Sequence, residues 1–79
     1  KPIEKFIVDR TFVENGTRYI IDYKLSEPEN DLTEFLQQQV GQYRSQLLGY
    51  HSALNAEHPL PTKLFLYFPL IDHLEEVAI

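Results

Sequence analysis

The chain opens on two β-rich runs separated by a turn, and a helical period takes over in its middle. Residues 5–14 are rich in Ile, Val, Phe and Thr, and residues 17–24 carry Tyr19, Ile20, Ile21 and Tyr23. Between them stands Asn15-Gly16, a pair suited to a two-residue turn because both central positions need φ > 0. This predicts a β-hairpin whose register the turn sets. Glu14 then faces Thr17, Phe12 faces Tyr19, Arg10 faces Ile21 and Asp9 faces Asp22. Side chains alternate across a strand. One face therefore carries Ile7, Asp9, Thr11, Ile20, Asp22 and Lys24, and the other carries Phe6, Val8, Phe12, Tyr19, Ile21 and Tyr23.

Residues 25–30 read as a loop, marked by Ser26, Pro28 and Asn30. Asn30 or Asp31 can cap a following helix, with Asp31 and Glu34 in the spacing of a capping box. Glu27, Glu29, Asp31 and Glu34 crowd that end, where the helix dipole favours negative charge. Leu36, Val40, Tyr43, Leu47, Tyr50 and Leu54 recur at spacings of four and three, which predicts a helix from residue 32 to about residue 54. Gly41 and Gly49 weaken it locally, unless they admit a closely packed neighbour. After a loop with Pro59 and Pro61, residues 63–68 form a nearly continuous apolar run with the look of a buried strand. Residues 74–79 are a last strand candidate. The expected class is α+β with the order β-β-α-β-β.

With 79 residues, the chain is one small domain or a piece of one. Both ends run straight into strand-like sequence, so residues 1–79 are read as a single, truncated domain. The absence of cysteine excludes disulfides and thiolate metal sites. There is no apolar stretch of membrane-spanning length and no signal-peptide pattern at the start, so a cytoplasmic protein without a membrane partner is expected. An uncovered sheet edge or face would favour a homodimer. Twelve acidic residues against seven basic ones leave a net charge of −5, the wrong sign for binding phosphates through this segment alone.

Candidate chemistry comes from the hairpin. Two aspartates opposite one another repel, and burial would raise that penalty. A divalent cation would offset it, and Mg²⁺ or Mn²⁺ prefers carboxylate oxygens. Lys24, two residues from Asp22 on the same face, could orient an attacking water or neutralise charge developing on a phosphate. The bland alternative is a solvated sheet face on which Arg10 or Lys24 screens Asp9 and Asp22. On the helix, Gln46 and Tyr50 lie four apart, beside Tyr43 and Gln39, and could brace the carboxylates or bond a DNA backbone. Equally, Tyr43 and Tyr50 fall on the apolar stripe and could be core. His51, His58 and His73 lack metal-ligand spacing and read as surface or packing residues.

Phe6-Ile7-Val8-Asp9-Arg10, Ile20-Ile21-Asp22-Tyr23-Lys24 and Gln46-Leu47-Leu48-Gly49-Tyr50, in that order, resemble the nuclease domain of RecB- and AddA-type helicase-nucleases. These belong to the PD-(D/E)XK class. Leu66-Tyr67-Phe68-Pro69 is similar to the strand after the helix in UvrD/Rep-type helicases that carry such a domain. The resemblance implies a partial restriction-endonuclease-like core, with Asp9 and Asp22 as ligands of Mg²⁺ or Mn²⁺ and Lys24 as the catalytic lysine. Gln46 and Tyr50 would be the helix pair that contacts DNA or supports the site. The implied activity is metal-dependent hydrolysis of DNA phosphodiesters in repair and recombination. The implied partners are DNA and the helicase domains of the same polypeptide or complex, with ATP bound there and not in this segment. The alternative is a catalytically inactive nuclease-like module that docks DNA or supports such a helicase. Two departures stand out. The family's histidine or glutamate from an upstream helix has no counterpart, so the segment alone is expected to lack part of its site. The glycine usual before the first aspartate is replaced by Phe6 or Ile7.

Overall fold

A computed structural model describes residues 10–79. It is an α+β fold with one four-stranded mixed sheet and one helix. Strand β1, Arg10–Glu14, turns at Asn15 and Gly16, both at positive φ, into β2, Thr17–Tyr23. The antiparallel register pairs Arg10 with Ile21, Phe12 with Tyr19 and Glu14 with Thr17, as the two-residue turn requires. The expected pairing of Asp9 with Asp22 lies outside the described residues.

Helix α1 spans Leu32–Glu57 and is capped by Asp31, whose carboxylate accepts from the Thr33 amide at 2.9 Å. It runs three residues beyond the expected end. The last turn closes with the His58 amide bonded to the Leu54 carbonyl, and Pro59 then keeps His58 extended. Asn55 adds a stop signal by accepting from the Leu60 amide at 3.0 Å. Strands β3, Thr62–Phe68, and β4, His73–Val77, complete the sheet in the order β1-β2-β3-β4. β3 runs parallel to β2, which the intervening helix makes possible, and β4 runs antiparallel to β3.

Helix α1 covers one sheet face. Ile20, Leu64, Leu66, Phe68 and Val77 from that face and Leu47 from the helix are buried. Phe35, Leu36, Val40, Tyr43, Leu48 and Leu54 pack around them. Arg18 is buried at the end of the same face, where its Nη2 donates to the His58 carbonyl at 2.7 Å. This places a cation at the helix C-terminus, where the dipole favours it. The opposite face carries Arg10, Phe12, Tyr19, Ile21, Tyr23, Lys63, Phe65, Tyr67, Leu74 and Glu76. No described element lies over it, and the described residues form two layers, the sheet and α1.

The close-packing role allowed for Gly41 and Gly49 is overturned. A methyl group added at either meets nothing within 4 Å. Gly41→Ala and Gly49→Ala are therefore expected to stabilise the protein by about 1 kcal/mol each, through the lower helix propensity of glycine. Urea denaturation reads this directly. A lower midpoint in either variant would restore the packing role.

Candidate functional site

The site begins where β2 ends. Asp22 sits two residues from Ile20, on the face that α1 covers, and is only 5 % exposed. This overturns the solvated-face reading for Asp22. Lys24 follows Tyr23, the last residue of β2, and its amide still donates to the Tyr67 carbonyl at 2.8 Å. That bond prolongs the ladder with β3 and returns the Lys24 side chain to the Asp22 face. The ammonium lies 2.9 Å from Asp22 Oδ2 and 3.7 Å from the centre of the Tyr43 ring. Lys24 is thus held between a carboxylate and an aromatic face, both partly withdrawn from water. The attraction between the two charges is stronger here than in water but is offset by their desolvation, whereas removing one partner alone leaves an uncompensated charge and is costly.

Tyr43 has a second role beside the core packing that its place on the apolar stripe predicts. It packs on the core, as that stripe requires. Its ring face, however, serves the lysine, and its hydroxyl accepts from Gln42 Nε2 at 3.2 Å. Only the position of Tyr43 beside Gln46 and Tyr50 hinted at this. Gln46 and Tyr50 themselves line an open groove on α1 with Gly49, Ala53 and Leu54. The ring brought to Lys24 is Tyr43, two turns of the helix before Tyr50. Gln39 reaches the loop after β2, where the Ser26 hydroxyl donates to its Oε1 at 3.2 Å.

The remaining ionisable groups lie elsewhere. His73 Nε2 is 2.8 Å from Glu75 Oε1 on β4, and His51 packs with its Nδ1 buried and unpartnered among the described residues. The Tyr67 hydroxyl donates to Asp72 Oδ1 at 2.8 Å. That hydrogen bond, with some desolvation and the nearby carboxylate charge, raises the phenol above its ordinary value. Glu27, Glu29, Asp31 and Glu34 surround the start of α1. Among the described residues, no group of three or more His, Asp or Glu side chains converges as a metal cage would. No described helix is long and apolar enough to cross a membrane.

No family model, curated protein or solved structure matches the chain. The site must therefore be interpreted from its own chemistry.

Proposed function

We propose that this chain is the nuclease part of an ATP-dependent helicase-nuclease that hydrolyses DNA phosphodiesters in repair and recombination. The observation that carries the reading is the buried Asp22 with the Lys24 ammonium 2.9 Å away, at the end of a strand under a helix. Supporting it is the ordered resemblance of the Asp9, Asp22-Tyr23-Lys24 and Gln46–Tyr50 segments to RecB- and AddA-type domains. On this reading the fold is part of a restriction-endonuclease-like core.

Asp22 is suited to Mg²⁺ or Mn²⁺. It offers hard carboxylate oxygens, and Mg²⁺ is commonly held by one or two carboxylates with the rest of its shell supplied by substrate phosphate and water. Asp9 is the second ligand proposed from the sequence register. When bound, the ion supplies Lewis-acid stabilisation of charge on the phosphate. The chain's own residues do the rest. Lys24 presents a compact cation to the phosphate oxygens, and its three donors can orient a water. Tyr43 restrains the flexible lysine stem, which lowers the entropy lost when the ammonium is used. Gln46 and Tyr50 are assigned to the DNA backbone along the groove they line.

The competing reading is a catalytically inactive nuclease-like module. It is favoured by the Lys24–Asp22 ion pair, which already neutralises the carboxylate without a metal. Calorimetric titration with Mn²⁺, beside Asp9→Ala and Asp22→Ala, separates the two. Binding in the wild type that is lost in both variants supports the nuclease. Mn²⁺ uptake that survives both substitutions sinks the proposed site, and a wild-type chain that takes up none leaves either the upstream ligand indispensable or the ion pair as the whole role of Asp22.

A further inference from the structure

The sheet face away from α1 carries a charge pattern that fits a second copy of itself. One row across the four strands, given by the registers, reads Arg10, Ile21, Phe65, Glu76. A cation stands on one edge, an anion on the other, and two apolar side chains lie between them. The next row along the strands is Phe12, Tyr19 and Lys63, and the row on the other side ends in Tyr23, Tyr67 and Leu74. Phe12 stacks on Tyr19 and Tyr19 on Phe65, with ring centres 5.1 and 6.2 Å apart. Tyr23 and Leu74 are 43 % and 50 % exposed. This is a large apolar surface edged by two opposite charges, the composition of an interface.

We infer that two copies of the chain pack face to face through this sheet surface, about a two-fold axis running along the strands between β2 and β3. Such an axis turns one sheet over onto the other while keeping strand directions aligned, the usual geometry of packed sheets. It sets β1 of one copy over β4 of the other, so Arg10 meets Glu76 of the second copy, twice. It also sets Ile21 over Phe65, Tyr23 over Tyr67, and Tyr19 over Lys63, where the ammonium meets a ring face. A two-fold axis lying across the strands is disfavoured: aligning Arg10 with Glu14 of the other copy brings the two Lys63 residues together. The inference goes beyond the nuclease reading and does not depend on it, since Asp22, Lys24 and Tyr43 lie on the opposite face.

Sedimentation equilibrium over the micromolar range tests the pairing with charge reversals. Arg10 and Glu76 are both exposed, so the variants leave the fold intact. The wild type is expected to be a dimer, and Arg10→Glu and Glu76→Arg are each expected to weaken it by about tenfold or more, with the double variant restoring it. A monomeric wild type would overturn the inference. A dimer indifferent to both reversals, or not restored in the double variant, would overturn it as well, by showing that a different surface or register is used.

Discussion

Phe68→Ala is expected to lower the stability of the protein by about 3–5 kcal/mol. Phe68 is fully buried at the end of β3, and its ring meets Phe35 of α1 edge-on, with centres 5.3 Å apart. Truncation removes the apolar area, the ring pair and a link between the first turns of the helix and the sheet. A chain of 79 residues has a total stability of roughly 4–12 kcal/mol. The substitution should therefore leave a substantial fraction unfolded at ambient temperature, visible as a large drop in the urea midpoint. Leu25→Ala is the matched control. Leu25 is 80 % exposed, and its loss should shift stability by no more than about 0.5 kcal/mol. A Phe68 variant that behaved like the Leu25 variant would mean that α1 does not pack on this end of the sheet.

On the nuclease reading, Lys24→Ala and Asp22→Asn are each expected to reduce Mg²⁺-dependent cleavage of linear DNA by at least about a hundredfold, some 2.7 kcal/mol of transition-state stabilisation. The asparagine is chosen because it keeps the shape of a side chain that is 5 % exposed while removing its charge. Tyr43→Leu keeps the apolar packing of the stripe but removes the ring 3.7 Å from the ammonium. It should slow cleavage less than the loss of the lysine itself, because it restrains that group and does not replace it. Far-UV circular dichroism on the same samples separates loss of chemistry from loss of fold. Cleavage that survives Lys24→Ala would remove the lysine from the mechanism, and cleavage absent from a folded chain that also carries the upstream helix would favour the inactive module.

The hairpin was legible because its signals are local. Asn15-Gly16 sets the backbone of the turn, the turn sets the register, and the register with the period-two alternation puts Lys24 on the side of Asp22. The helix was legible for the same reason, through Asp31 at its start and the stripe from Leu36 to Leu54. Its end lies three residues beyond the stripe, because the stop at Pro59 acts through the residue before it and leaves Glu57 helical. Asp9 lies outside the described residues, so the facing of Asp9 and Asp22 remains a sequence-based expectation.

Which face of the hairpin would be covered was a different kind of question. Phe12, Tyr19, Ile21 and Tyr23 make the more aromatic face, whereas the other presents Arg18, Ile20 and Asp22. Apolarity within the hairpin alone would bury the former. The structure buries the latter, because β3 joins β2 in parallel and adds Leu64, Leu66 and Phe68 to that side, where α1 returns over them. Parallel pairing and helix placement depend on contacts between residues some forty positions apart, as between Arg18 and His58, and no local pattern encodes them. The same long-range placement selected Tyr43 as the ring facing Lys24 and left Gln46 and Tyr50 on a groove. The sequence by itself determined the elements, the hairpin register and the nearness of Asp22 to Lys24, since turns and periodicities are set within a few residues. Only the tertiary structure decided the strand order, the burial of Asp22 and the open aromatic face, since these follow from which distant surfaces exclude water together.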